Sequence, residues 1–506
     1  MELKAYQDTV MTAQNICETK LELPVETEIL IPDYLPQVFK IVKCFVYPVI
    51  LQRQVMAGRL TVEGYLRCTV YYQADGEEGL CQTEQKLPFT KQVDLRETAN
   101  IAAVIQVSGE PEYINCRALS GRRVDIRGAY ALCITASAQE ENEIITALAG
   151  GGIEQKTCEL NGIASVGMQE KLITAEENIS FEKSPMMILS TNCTSEVTEV
   201  KLLTGKAVVK GTLITEILYR SSAGEDLIHE SKQAAFNAVM DVEGADENCK
   251  AFVLAQPTGC TITAGTEDES EKSLLSVTAL LQIRVYREMH QIAVCDAFST
   301  QDEVEISRGK RTMEFVLDEM DSSFDVSTSG TLPDEQAEVL ETWATPLSLE
   351  LIEQEGKCAL RCRVMMHLLC RNVLGELDCY DKLCEENLPG LYPYAPESLM
   401  VQYGMSVRET SARKNGQEME AKASVHIKAL VTGYKQTEVV QEVHSIGPRE
   451  KVDGDIALRI YFAQPGEELF DIAKRYAASP QAIASANQMQ EGTLTEPCKL
   501  LIPSSL

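Results

Sequence analysis

The chain repeats itself, and that repetition limits its fold more than any motif does. Three segments share one pattern: GRLTVEGYLRCTVYY from Gly58, GKAVVKGTLITEILY from Gly205 and GKCALRCRVMMHLLC from Gly356. They recur with a period of about 150 residues. In this register Gly64 matches Gly211, Tyr72 matches Tyr219, Leu80 matches Leu227 and Phe89 matches Phe236. The third copy keeps the apolar phase while its identities drift. A chain of 506 residues is too long for one hydrophobic core, and a repeated unit with its own core accounts for the length.

Within each copy the apolar period is two, the signature of a strand with one buried face. Leu60, Val62, Leu66, Cys68, Val70 and Tyr72 fall on one side, and Thr61, Glu63, Arg67 and Thr69 on the other. Copy two repeats the phase with Val209, Leu213, Ile217 and Tyr219, and copy three with Leu360, Val364, Met366 and Leu368. Glycine-bearing stretches follow (QADGEEG, RSSAGED and RNVLGEL) and predict hairpins with acidic, solvated tips. A second alternating run comes later in each copy: Val124 to Ile134, Leu275 to Val285, and Met419 to Val431. Antiparallel hairpins with one apolar face predict two-sheet packing. Polar or flexible stretches near the joins are GGGIEQK after Gly150 and SRGKR after Ser307, and the third unit ends near SIGPREKVDGD from Ser445. The expectation is a mainly β chain: three tandem antiparallel sandwich-like repeats over 1–150, 151–300 and 301–452, then a different unit over 456–506.

Charge and composition narrow the function. Forty-six Lys and Arg stand against 76 Asp and Glu, a formal charge of −30. Such a field repels nucleic acid and anionic lipid, which argues against both as partners. No stretch approaches the ~18 consecutive apolar residues of a membrane-spanning helix, so direct insertion is not expected. The opening residues MELKAYQDTVMTAQNICETK lack a basic region followed by an apolar one, so the expectation is a protein made and folded inside the cell. The 17 cysteines are odd in number and scattered, which suits reduced thiols better than a secreted disulfide framework.

The cysteines Cys358, Cys362, Cys370, Cys379 and Cys384 form the densest cluster. The first three align with Leu60, Gly64 and Tyr72, inward positions where cysteine acts as a small hydrophobe, and the set lacks the C-x2-C knuckle of zinc ribbons. No metal is expected there. The five histidines (His229, His290, His367, His426 and His444) occupy unmatched positions, with no GxSxG, HExxH or GxxxxGK[ST] motif. The reading is therefore a protein without catalytic residues or cofactors. Its repeated architecture, lacking one privileged copy, points to a scaffold.

From Leu458 the text changes, with four basic against five acidic residues. Arg459 to Gln464 predicts a short strand, and Pro465-Gly466 a turn. Leu469, Ile472, Ala473 and Tyr476 share one helical face behind Glu467 and Glu468, which oppose the positive end of the helix dipole. Ser479-Pro480 opens a second helix, with Ile483 and Ala486 on its buried stripe, and Lys499 to Ile502 a final strand.

These residues resemble a LysM domain. The family pattern of an aromatic strand, a Gly-Asp-Thr-Leu turn, Ile-Ala-x-x-Tyr, a helix-closing Asn and a Leu-x-Ile-Pro strand is met by Tyr461, Gly466, Leu469, Ile472, Ala473, Tyr476, Asn487, Leu500, Ile502 and Pro503. Glu467 and Glu468 replace the usual Asp and Thr. LysM modules bind N-acetylglucosamine-containing glycans in a shallow groove. The resemblance implies a partner- or glycan-binding surface on Pro465, Gly466, Glu467, Glu468 and Leu469, together with Asn487, Gln488 and Met489. Losing the threonine hydroxyl and adding a carboxylate disfavours a glycan more than a protein ligand.

Tandem β repeats ahead of one LysM module resemble the SipL family of clostridial spore-coat morphogenetic proteins, whose repeat is the SPOCS domain. That resemblance implies a mother-cell cytoplasmic protein recruited to the forespore surface, where the spore coat is assembled. It also implies a LysM module that engages stage IV sporulation protein A, the polymerising ATPase of the coat basement layer, with other coat proteins as further partners. The alternatives are a peptidoglycan-binding wall or cortex protein and a self-associating fibre.

Overall fold

A computed structural model describes residues 3–74, 79–95, 103–150, 152–221, 227–264, 272–332, 335–449, 458–489, 492 and 494–503. The fold is mainly β, and one six-strand plan is used three times. In the first module β1 (Lys4–Leu30), β6 (Arg123–Ala149) and β5 (Ala103–Ser120) make one antiparallel sheet, ordered β1-β6-β5; β2 (Val38–Met56), β3 (Arg59–Ala74) and β4 (Leu80–Asp94) make the other. The second module repeats this with β7 (Ile153–Ile179), β12 (Ser273–Ser299) and β11 (Lys250–Ala264), and with β8 (Pro185–Leu203), β9 (Lys206–Ser221) and β10 (Leu227–Asp241). The third uses β13 (Asp302–Thr331), β18 (Glu418–Pro448) and β17 (Leu399–Asn415), and β14 (Glu338–Gln354), β15 (Lys357–Arg371) and β16 (Leu377–Asn387). In each module the two sheets share one apolar core, so each is a small sandwich.

The alternation in the sequence is the alternation of these cores. Leu60, Val62 and Tyr72 of β3, Val209, Leu213 and Tyr219 of β9, and Leu360, Val364 and Leu368 of β15 are all buried, as are Val124, Leu275 and Val425 on the facing sheets. Cys358, Cys362 and Cys370 are buried with them, where their register placed them, and carry no disulfide.

The matched glycine and phenylalanine prove to be one device. Gly64 lies opposite Phe89 and Gly211 opposite Phe236 in the register of adjacent strands. A Cβ on Gly211 would sit 2.3 Å from the Glu196 carbonyl oxygen and 2.6 Å from the Phe236 ring; on Gly64 it would meet the Val49 carbonyl oxygen at 2.2 Å. A bulge in the neighbouring strand (between Ile50 and Gln52, and between Val197 and Glu199) drives that backbone inward. In the third module the bulge falls earlier, between Pro346 and Ser348. There the pair becomes Cys362 opposite Glu386. The drift of copy three is therefore coupled: glycine, phenylalanine and bulge position change together.

The modules do not hang as beads. They close into a ring about a pseudo-threefold axis. One axial cluster brings together the equivalent residues Tyr71, Leu218 and Leu369, the equivalents Leu80, Leu227 and Leu377, and a third set, Val42, Leu189 and Leu340. At the other end, the long strands of all three modules meet through Ile144, Ala293 and Val439, and through Val10, Leu160 and Met313. Each seam also carries charge. Between modules one and two, Arg53 lies 3.7 Å from Glu170 and donates to Gln256 Oε1 at 3.0 Å. Between modules two and three, Arg284 and Glu314 pair at 2.6 Å with side chains 1% and 2% exposed. Between modules three and one, Lys40 meets Asp378 at 2.8 Å, and the Gln73 side-chain amide donates to the Gly375 carbonyl at 2.9 Å.

That last contact revises an expectation. The RNVLGEL turn is solvated only at its tip, Val373 and Leu374: Asn372 folds the turn and Gln73 docks its base on module one through Gly375 and Leu377. The equivalent turns of copies one and two fall mostly on 75–78 and 222–226, outside the described residues, as do 450–457 of the final join. Ser307–Arg311, a few residues past the second join, lies within β13 beside a register shift. The modules follow one another through tight turns, Gly150 to Gly152 and after Ser299.

The C-terminal unit runs β19 (Leu458–Ala463), α1 (Leu469–Tyr476), α2 (Pro480–Asn487) and β20 (Cys498–Pro503), with β19 and β20 antiparallel. Leu469, Ile472 and Ala473 are buried in its core with Ile483 and Leu500. Ala486 is exposed, and Ala484 takes the buried place on α2 expected of it. Helix α1 starts one residue later than the two glutamates suggested, so Glu468 is its N-cap and Glu467 precedes it. No helix among the described residues is long and apolar enough to cross a membrane.

Two substitutions test this account. Gly211→Ala must displace a carbonyl and a phenyl ring, and is expected to cost the second module about 1–3 kcal/mol, read as a lowered urea midpoint. Glu314→Gln strands a buried guanidinium and is expected to cost about 3–5 kcal/mol, read as early separation of modules two and three in hydrogen exchange.

Candidate functional site

The loops singled out in the C-terminal unit meet, but several of their side chains are engaged within the chain. Backbone hydrogen bonds join the loop before α1 to the one after α2: Gly466 N–H to the Leu494 carbonyl (2.8 Å), Leu494 N–H to the Glu467 carbonyl (2.9 Å) and Leu469 N–H to the Gly492 carbonyl (3.1 Å). Gly466 takes a φ of +91°, which lets the chain reverse there. Leu469 is buried and Met489 half-buried against the same core. Asn487 is consumed by structure: its side chain donates to the Ile483 and Leu501 carbonyls and accepts from Leu501 N–H, each at 2.8 Å. It fastens α2 to β20 rather than facing a ligand.

The two glutamates divide. Glu467 accepts from the Tyr461 hydroxyl at 2.6 Å and from Gln464 N–H at 2.8 Å; these two bonds, the hydroxyl's first, hold its carboxyl below the usual range. Arg475 donates to the same hydroxyl at 2.8 Å. Glu468 pairs with Lys156 of β7, and this bond raises the Lys156 ammonium above its ordinary value. Pro465, Gly466 and Gln488 stay exposed, joined by Ile460 and Phe462 on the outer face of β19, the latter 69% exposed.

The Glu468 contact belongs to a wider seat. Lys474 of α1 reaches Asp296 of β12 at 2.7 and 2.8 Å, Arg308 of β13 pairs with the same carboxylate, and Phe470 meets Phe298 edge-on at 5.3 Å. Burial pushes the Asp296 carboxyl up, but Lys474 and Arg308 outweigh it and hold it below its usual value. The C-terminal unit therefore sits on the ends of the long strands, with one side of α1 committed to the ring. Sequence reasoning missed this seat, since Lys156 and Asp296 look like ordinary surface charges; the aromatic pair at Phe298 and Phe470 was the one available signal.

A second site was not anticipated. A cavity of about 770 Å³ opens among the modules, lined by β2, β5, β8, β11, β14 and β17. His367, one of the five scattered histidines, lies against it with both ring nitrogens engaged: Nε2 with Thr345 Oγ1 at 3.0 Å and Nδ1 with Asp381 Oδ1 at 2.9 Å. Phe45 and Trp343 enclose the imidazole at 4.7 and 5.6 Å between ring centres. Lys43 of module one pairs with Asp381. Burial raises the Asp381 carboxyl, but His367 and Lys43 prevail and keep it low. Cys379, two residues along the same strand, has its thiol pushed up to about 12, chiefly by burial and then by Asp381.

The architecture defines a tandem-repeat protein of antiparallel β modules with an appended βααβ unit. The SipL, SPOCS domain family model matches residues 37–119 and 186–264, the spans of β2 to β5 and of β8 to β11. The chain is thus SipL-like, a sporulation-related protein with SPOCS segments in its first two modules. No curated protein and no solved structure matches it.

Removing the Asn487 bonds tests the view that this residue is structural. Asn487→Ala is expected to cost the C-terminal unit about 2–3 kcal/mol, seen as faster amide exchange at Leu501 with the ring strands unchanged.

Proposed function

We propose that the protein is a non-enzymatic scaffold of the spore envelope, working in the mother-cell cytoplasm and recruited to the forespore surface. The SPOCS segments support the setting, and the closed ring supports a rigid platform. The C-terminal unit, by its LysM resemblance, docks to a polymerising coat-assembly ATPase of the stage IV sporulation protein A kind, and the ring carries other coat proteins. A polymer offers many equal sites, so several scaffolds bridged together gain avidity from weak single contacts.

The observation that carries the docking reading is the exposed pair Ile460 and Phe462 on β19, beside the exposed Pro465 and Gly466. Aromatic and aliphatic anchors at the centre of a patch suit a protein partner. A glycan groove would need free polar groups in the loops, and there Glu467, Glu468 and Asn487 are already bound within the chain.

Replacing Ile460 and Phe462 together by Asp leaves the loops intact and is expected to abolish forespore encirclement by a fluorescent fusion, with more than a tenfold loss of binding to the purified ATPase. Persistent encirclement would refute the docking role. Retention of the wild-type chain on purified peptidoglycan, lost when Gly466 and Gln488 are altered, would favour the cell-wall reading.

A further inference from the structure

One departure from the ring's near-symmetry lies on the axis-facing side of the β14-β15-β16 sheet, the side that carries Leu369. His367 lies opposite Asp381, and Leu369 opposite Cys379. The equivalent places in module one hold Thr69, Glu84 and Gln82, and in module two Glu216, Ser231 and His229. Among the described residues the third module alone puts an imidazole, a thiol and a carboxylate on one patch of sheet, and their donor atoms all lie within 4.8 Å of one another. Two of the three, His367 and Asp381, border the axial cavity.

We propose that His367, Cys379 and Asp381 bind a divalent transition-metal ion of the zinc class, with its fourth coordination position directed to the axial cavity. The donor set is mixed N, S and O, which suits borderline-soft Zn²⁺ and not Mg²⁺ or Ca²⁺. The imidazole is already oriented for the task. With Nδ1 toward the metal, the Nε2 proton donates to Thr345 Oγ1, the outer hydrogen bond that fixes the ring of a metal-binding histidine. Bonds of about 2.0–2.3 Å set the donors roughly 3.3–3.6 Å apart, so Asp381 Oδ1 must part from His367 Nδ1, now 2.9 Å away, while Cys379 closes in, a movement that side-chain rotation of Asp381 and Cys379 supplies.

Charge defines what must move. The thiol gives its proton to solvent on binding, so thiolate and carboxylate together neutralise the ion, and the Lys43 ammonium loses its counter-ion. Lys43 is partly exposed and can swing away. Metal and Lys43 therefore compete for Asp381, so loading the site loosens one tie between modules three and one. Three protein ligands with a fourth position open would let a cavity ligand, or water, complete the shell.

The chain's one tryptophan, Trp343, stacks beside His367 and supplies a local reporter. The full chain, stripped of metal by chelator, is titrated with Zn²⁺ and separately with Co²⁺. The expected result is saturation of a Trp343 emission change at one equivalent of Zn²⁺, with submicromolar affinity, and a thiolate-to-Co²⁺ charge-transfer absorption. Cys379→Ser is expected to remove that absorption, and Thr345→Val, which keeps the ligands, to weaken Zn²⁺ binding about 10–100-fold. Lys43→Met is expected to tighten it. An unresponsive Trp343, a Co²⁺ spectrum unchanged in Cys379→Ser, or an affinity indifferent to Lys43→Met would each overturn the site.

Discussion

Everything in this fold depends on covering the second face of each β2-β3-β4-type sheet. One face packs in its own sandwich. The other carries Tyr71 and Leu80, or Leu218 and Leu227, or Leu369 and Leu377, and a three-stranded sheet with two apolar faces cannot stand alone in water. A partner module covers one flank only. Three modules closing on an axis cover all three sheets at once, which is why the chain has a ring where a flexible string would have left apolar stripes in solvent. The burial is cooperative: removing any module exposes the inner faces of the other two.

The seams show how that burial is given a fixed register. Apolar contact is non-directional, so three similar sheets could slide or exchange neighbours. The charged pairs differ at every seam: Arg53 with Glu170 and Gln256, Arg284 with Glu314, Lys40 with Asp378. A buried pair such as Arg284 with Glu314 contributes little net stability against an apolar substitute, but a mismatched neighbour would strand a desolvated charge. The asymmetry of the seams thus orders the modules one, two, three, and leaves the C-terminal unit one place to sit, over Lys156, Asp296 and Phe298.

Much of this was legible in the sequence, and the part that was not has a physical reason. Period-two alternation placed Leu60, Val209 and Leu360 correctly, because the interior of one sandwich is a local property of each strand. The coupling of Gly64 with Phe89 was visible as a recurrence, although its cause, a bulge in the strand on the other side, was not. Ring closure left a fainter trace. Alternation fails at Val70-Tyr71-Tyr72, at Ile217-Leu218-Tyr219 and at Leu368-Leu369-Cys370, where consecutive apolar residues mean burial on both faces. Alternation alone cannot tell a face turned to water from one turned to another module. In the C-terminal unit the loops could be named from the sequence, but not the hydrogen bonds that engage Glu467 with Tyr461 and Asn487 with Leu501 across the unit.

The seat of the C-terminal unit gives the molecule a directed geometry. Because α1 is tied by Lys474 to Asp296 and by Glu468 to Lys156, the exposed face of β19 is held at a fixed angle to the ring. A tail on a loose tether would search a large volume and hold no angle to the body. A tail clamped by ion pairs and an aromatic contact presents Ile460 and Phe462 in one orientation, so that a surface engaged by this end fixes how the ring stands upon it.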